Sequence, residues 1–285
     1  MRNYEFGLTE TTAWCPGCGN PSIRAALKAA LEELDMSLDD VIISAGIGQA
    51  GKMPQYIDVN AFAGLHGRSL PVGIGIKLSN HKVKVITEGG DGDGYGEGGN
   101  HLLHAIRRNI DLTQVVHNNQ VYGLTKGQAS PTTQADQAQT FAKGGSKNNM
   151  MYPLALALTL GAGFVARGFS GDQKQLTEIL KAAIQYEGYA LVDILQPCIV
   201  WNKVNTFQWY KERVRPLDDS HDSTDLSQAF EKAMVWGDEI HTGILYNVEK
   251  PTYATKFGFL GEDDEAMIDR KLNPLDAKVL MDRMK

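Results

Sequence analysis

Short apolar runs that end in glycine clusters, alternating with stretches of helical periodicity, constrain this chain more than any other feature. Val41-Ile42-Ile43-Ser44 leads into Gly46-Ile47-Gly48-Gln49-Ala50-Gly51, and Val83-Lys84-Val85-Ile86-Thr87 leads into Glu88-Gly89-Gly90-Asp91-Gly92-Asp93-Gly94. Both runs have the length and β-branched content of buried strands, and the glycines mark the turns that end them. Ahead of both, Ile23, Ala26, Leu27, Ala30, Leu31 and Leu34 recur at helical spacing from Pro21, with Asn20 as the expected N-cap.

The alternation continues with helices over Asn100–Arg108, near Leu154–Leu160 and over Gln173–Gln185. The matching strands are Gln114–His117, Phe164–Ala166 and Ala190–Leu195. This order predicts an α/β fold, a mostly parallel sheet flanked by helices, with ligands at the carboxyl ends of the strands. After Pro197 the regularity fades. Residues 1–200 are therefore expected to form the ligand-binding domain, and residues 201–285 a C-terminal arm or extension.

Composition narrows the function classes. Hydrophobic residues at 42% and charged residues at 22% suit a globular chain, and a net charge of -6 argues against nucleic-acid partners, since no cationic excess exists to neutralise phosphates. No apolar stretch reaches bilayer length and Met1–Glu5 lack a signal-peptide core, so no membrane partner and a cytoplasmic location are expected. Three cysteines make no disulfide framework at this length. Cys15, Cys18 and Cys198 point instead to metal or redox chemistry.

Three motifs carry candidate chemistry. Gly46-x-x-x-x-Gly51-Lys52 has P-loop spacing but lacks the hydroxyl that should follow the lysine, because Met53 and then Pro54 stand there. A P-loop-like phosphate-binding module is retained only as an alternative. In the second motif Asp91 and Asn119 offer oxygen ligands for magnesium, while Gly90 and Gly92 let the backbone approach a diphosphate. The third joins Trp14-Cys15-Pro16-Gly17-Cys18-Gly19 to Gln196-Pro197-Cys198, whose thiols suit an iron-sulfur cluster or zinc.

The run Gly90-Asp91-Gly92 … Asn118-Asn119-Gln120-Val121-Tyr122-Gly123-Leu124-Thr125 resembles the thiamine diphosphate-binding motif. That resemblance implies magnesium held by Asp91, Asn119 and the Val121 carbonyl, and an activating glutamate supplied by a partner chain. With Gly46-Ile47-Gly48, Gly64-Leu65-His66-Gly67-Arg68, Tyr122–Gln128 and the cysteine segments in order, roughly residues 10–215 resemble the beta subunit of 2-oxoacid:ferredoxin oxidoreductases. The family implies the thiamine diphosphate-binding fold, Mg2+ and a [4Fe-4S] cluster. It also implies an alpha or fused gamma-alpha partner subunit, ferredoxin, and conversion of a 2-oxoacid such as pyruvate or 2-oxoglutarate with coenzyme A to acyl-CoA and carbon dioxide. Some members run the reductive, carbon-fixing direction.

By the same resemblance Lys52 faces the substrate, and Leu124 and Thr125 face the thiazolium side of the cofactor. Ile47, Gly48, His66, Gly67, Arg68, Asp93, Tyr122 and Gly123 complete the cofactor pocket. Cys15, Cys18 and Cys198 are the implied cluster ligands, whereas Gln49 stands where the family usually has a fourth cysteine. The competing enzyme reading is a non-redox thiamine-dependent decarboxylase with structural zinc. His101, His104 and His117 are expected to be helix or strand residues rather than ligands.

Overall fold

Five largely apolar runs become five parallel strands because each is buried on both faces and successive runs are joined by crossovers long enough to bring the chain back. In the computed structural model, which describes residues 12–138, 140, 143–257, 265–271, 278–279 and 281–282, these are β1 (Val41–Ala45), β3 (Lys84–Gly90), β4 (Leu112–Asn118), β5 (Phe164–Phe169) and β6 (Tyr189–Leu195). The expectations for Met1–Glu5, and for the outer ends of both segments, lie outside the described residues.

β2 (Asn60–Ala63), β7 (Val214–Pro216) and β8 (Ile240–Asn247) complete an eight-stranded sheet of order β2-β1-β3-β4-β6-β5-β8-β7. The six strands from β2 to β5 are mutually parallel, and β8 returns antiparallel to β5.

Helices cover both faces. α1 (Asn20–Glu33) and α5 (Gln173–Gln185) bury Ile23, Leu27, Leu31, Leu176 and Leu180 against Ile43, Ile86, Val115 and Val192. On the other face α2 (Ser69–Ser79), α3 (Gly99–Arg108), α4 (Pro153–Thr159) and α7 (Leu226–Met234) set Leu70, Leu102, Ile106, Leu154 and Ala233 against Val85, Val116, Val165 and Leu191. Val115 and Val116 point to opposite faces, as strand geometry requires. Truncating Leu27 or Leu180 to Ala would cost about 2–5 kcal/mol through lost burial and a residual cavity.

Beyond residue 201 the chain carries more regular structure than its pattern suggested. α6 (Phe207–Arg213), β7, α7 and β8 follow in order, then α8 (Tyr253–Phe257), and β8 is a sheet strand. Arg167, buried on β5, fastens this segment by donating to the carbonyls of Ala233 at 2.9 Å and His241 at 3.2 Å. The guanidinium faces Asp193, and Asp193 accepts from Tyr95 Oη at 2.7 Å and from Asn118 Nδ2. Burial raises the Asp193 carboxyl's pKa, and the Arg167 charge opposes that rise.

Candidate functional site

The carboxyl ends of β1, β3, β4 and β6 open onto one cleft. Its walls include Cys15, Cys18, Ile47, Gly48, Gln49, His66, Gly90, Asp91, Gly92, Asp93, Asn119, Val121, Tyr122, Gly123, Leu124, Thr125, Gln196 and Cys198. Parallel strands that end together gather loops far apart in sequence, so three motifs become one site. Lys52, Gly67 and Arg68 are not among its lining residues. Lys52 sits half-buried in the 3₁₀ turn Ala50–Gln55, two positions beyond Ala50, which does line the cleft. That turn contains Pro54 and no α-helix follows it, so the geometry of a P-loop is lacking.

Asp91 follows β3 directly and is buried. Its Oδ2 accepts from Ser130 Oγ at 2.5 Å and from Thr132 Oγ1 at 2.6 Å. Burial pushes the Asp91 carboxyl up to about 6, although the two hydroxyls pull it the other way. A cation beside it would restore the ionised form.

Asn119 follows β4. Its Nδ2 donates to Gln196 Oε1 at 2.8 Å and its Oδ1 accepts from Val121 N at 3.2 Å, which fixes the amide plane. Between Asn119 and Val121, Gln120 adopts φ +60°. This left-handed conformation is costly for a residue with a side chain, and its surroundings enforce it. Gln120 Nε2 donates to the Thr132 carbonyl at 2.8 Å, and Thr133 Oγ1 donates to the Gln120 carbonyl at 2.7 Å. The Asp91 carboxylate and the Asn119 amide oxygen are hard-oxygen donors of the kind that fits magnesium completed by backbone carbonyl, diphosphate and water.

Asp93 acts as a clamp between loops. Its Oδ1 accepts from Ile47 N at 2.9 Å and Gly67 N at 2.8 Å, and His66 Nδ1 lies 3.3 Å away. A Cβ on Gly46 would sit 1.9 Å from Asp93 Oδ2, so the glycine is required for this approach. Gly92 makes room for a side chain rather than for a ligand alone, since a Cβ there would meet the Tyr122 ring at 2.3 Å.

The cysteines enter from two loops. Cys15–Cys18 is a tight turn closed by Cys18 N donating to the Cys15 carbonyl at 3.0 Å, with Gly17 at φ +81°. Asn20 N at 3.4 Å and Gln196 Nε2 at 3.3 Å both donate to Cys18 Sγ. N–H groups aimed at a sulfur are the environment that iron-sulfur thiolates use. Burial, followed by the charges of Cys198 and Cys15, raises the Cys18 thiol to about 11, so it keeps its proton until a metal displaces it. Among the described residues no three His, Cys, Asp or Glu side chains converge on one point to hold a single ion.

His117 is a strand residue, as expected. It is buried between Glu88 Oε2 and Asn20 Oδ1, each at 2.8 Å, and ties β3 and β4 to the start of α1 beside the cysteine turn. Sequence reasoning missed Ser130, Thr132 and Gln196, the side chains that orient Asp91 and Asn119. The Ser130-Pro131-Thr132-Thr133 run carried no spacing signal, and its role arises from tertiary approach alone.

Known proteins resemble this chain in sequence and fold. A family model described as thiamine pyrophosphate enzyme, C-terminal TPP binding domain, matches residues 44–194, and a second, for the C-terminal part of the pyruvate ferredoxin oxidoreductase beta subunit, matches residues 198–262. The 2-oxoacid:ferredoxin oxidoreductase subunit beta of Saccharolobus solfataricus is 44% identical over 253 residues, covering 84% of this chain and 83% of its own length. A 2-oxoglutarate oxidoreductase subunit of Mycobacterium tuberculosis is 39% identical over 202 residues, covering 71% of this chain and 54% of its own. Among solved structures, a 2-oxoglutarate:ferredoxin oxidoreductase from Magnetococcus marinus, with 2-oxoglutarate, coenzyme A and succinyl-CoA bound, matches at TM-score 0.90 and 34% identity. It covers 98% of this chain and 97% of its own.

Proposed function

The chain belongs to the family of 2-oxoacid:ferredoxin oxidoreductase beta subunits, and on that premise we propose that it converts a 2-oxoacid, 2-oxoglutarate in preference to pyruvate, to its acyl-CoA within a complex. The observation that carries this is the meeting of the Asp91–Asn119 oxygen set and three cysteines in one cleft. Bound there, thiamine diphosphate supplies a carbanion centre at its thiazolium ring and a [4Fe-4S] cluster accepts electrons singly.

The chain's own residues bind and orient. Asp91, Asn119 and the Val121 carbonyl hold magnesium, and the Gly90–Gly92 backbone lies along the diphosphate. Ile47, Gly48, His66, Tyr122 and Gly123 wall the pocket, Gly67 and Arg68 support it from behind, and Leu124 and Thr125 face the reacting ring. Cys15, Cys18 and Cys198 hold the cluster. Its irons are spread over a cube, so the thiols need not share one point as structural zinc would require.

An exposed apolar rim supports an alpha-subunit partner over the cleft mouth: Ile47 is 39% exposed, Leu124 50% and Val200 38%. Ferredoxin is the electron acceptor, and no helix among the described residues is long and apolar enough to cross a membrane.

Purified complex should contain iron and acid-labile sulfide and should reduce a dye with 2-oxoglutarate and coenzyme A faster than with pyruvate. Zinc in place of iron, with carbon dioxide released but no dye reduced, would return the non-redox decarboxylase. Lys52 lies outside the cleft wall, in the turn whose Ala50 lines it, and is assigned to reach from there to the distal carboxylate of 2-oxoglutarate. Lys52→Ala should raise KM for 2-oxoglutarate about tenfold and leave that for pyruvate nearly unchanged; equal effects would remove the assignment.

A further inference from the structure

We propose that the side-chain oxygen of Gln49 is the fourth protein donor beside Cys15, Cys18 and Cys198, so that the cluster held here is ligated by three thiolates and one neutral amide oxygen. The inference rests on the cluster reading above and goes beyond it.

All four side chains line the same cleft. Gln49 Oε1 is buried and accepts no hydrogen bond. A buried amide oxygen without a donor is unfavourable, and a bound group would relieve it. Among the other polar side chains of the wall, His66 Nδ1 also lacks a hydrogen bond but lies 3.1 Å from Glu97 Oε2 and 3.3 Å from Asp93 Oδ1, beside two carboxylates. Asp91 takes the Ser130 and Thr132 hydroxyls, Asn119 is held between Gln196 and Val121 N, and Gln196 gives its N–H to Cys18 Sγ. Asp93 also has an unpaired oxygen, but that atom is enclosed where a Cβ on Gly46 or Gly89 would lie, within 1.9 and 2.7 Å. That carboxyl is held by Ile47 N and Gly67 N, whereas Gln49 is joined to the cysteine turn through Trp14.

Gln49 is also fixed in place relative to those thiols. Trp14, the residue before Cys15, donates its indole N–H to the Gln49 carbonyl at 2.8 Å. The Trp14 ring meets Tyr56 edge-on at 4.6 Å, and Tyr56 Oη accepts from Ala13 N at 2.9 Å. The cysteine turn and the Gly46–Gln55 loop are therefore joined by direct contacts.

The chemistry has two consequences. A neutral oxygen leaves the cluster one unit less negative than a fourth thiolate would, which raises its potential. Oxygen is also a poorer partner than sulfur for iron in such a cluster, so the iron on Gln49 is the one most easily lost.

The test uses the complete complex prepared without oxygen, as wild type, Gln49→Ala and Gln49→Cys, with Cys198→Ser identifying which signal belongs to this site. Iron and sulfide content, EPR after graded ferricyanide, and the midpoint potential are measured. Thiamine diphosphate content checks folding. Wild type should hold a four-iron cluster that gives a three-iron signal, with loss of about one iron in four, at low oxidant. Gln49→Ala should show that signal as isolated or at tenfold less oxidant, while Gln49→Cys should resist conversion and titrate at a lower potential.

Should Gln49→Ala fail to fold, the comparison of Gln49→Cys with wild type carries the test. A three-iron wild type as isolated, or variants indistinguishable from wild type in iron count, oxidant dose and potential, would overturn the ligand. Wild type with zinc and no iron would instead sink the reading on which the inference rests.

Discussion

The two ends of the cleft are held in opposite ways. At the Asp91 end the ligand-bearing side chains are tied down: two hydroxyls on the carboxylate, a locked Asn119 amide, and a left-handed Gln120 held by Thr132 and Thr133. At the cysteine end Cys15 is exposed, Cys18 and Cys198 are half-buried, and only two long N–H donors reach Cys18 Sγ. The first end is preorganised by the chain, so a ligand arriving there meets a finished shape. On the proposed reading the second would be completed by the metal it binds, which would neutralise thiolates that otherwise repel one another.

The comparison breaks or sharpens by substitution. Asp91→Ala should lower magnesium-dependent thiamine diphosphate affinity by more than about 100-fold, beyond the usual loss from an outer-shell partner, while the iron content of the complex stays unchanged. Calorimetry with and without magnesium reads the first, and metal analysis the second. Cys198→Ser should do the reverse, removing this site's iron and its visible absorbance with cofactor affinity kept within about twofold. If either variant empties both ends, the two are one cooperative unit and the contrast is lost.

Thr132→Val keeps the side chain's shape and deletes its bonds to Asp91 Oδ2 and Asn118 Oδ1. Preorganisation predicts about a 10- to 100-fold loss of magnesium affinity with little change in global stability. A wild-type affinity would mean that Ser130 alone orients the carboxylate.

Much of this was legible in the chain because its strands are short, apolar and stopped by glycine. β1, β3, β4, β5 and β6 and the long helices α1 and α5 follow from that punctuation, and the topology then gathers their carboxyl ends. β2 escaped because Asn60–Ala63 is exposed throughout and has no alternation, and α2 because two glycines and Pro71 interrupt its apolar face. β8 has Gly243 at φ +135° and half-buried positions, a weak strand signal that only pairing with β5 makes regular. In the site, the ligand types were visible, but the hydroxyls and the amide that aim them were not. Ser130 and Thr132 lie about forty residues from Asp91, and no periodicity predicts contact across an irregular loop.

Acid should separate the two ends most gently. Burial holds the Asp91 carboxyl at about 6 in the cofactor-free protein, against the hydroxyls that favour its charge. Magnesium takes only the ionised form, so protons compete below that value and affinity should fall about tenfold by pH 5, levelling above pH 7. Stability runs the other way. Because the folded value lies above the unfolded one, this group's contribution is fully present below the unfolded carboxylate range and is lost as pH rises through 6. The cofactor-free complex should therefore gain from mild acid, as far as this group decides, under conditions that load it worst. Asp91→Asn removes the titration, and denaturation of the cofactor-free complex between pH 4 and 7 should lose the Asp91-dependent slope; an unchanged slope would place its origin in Glu88 or Asp193, whose buried carboxyls are raised in the same direction.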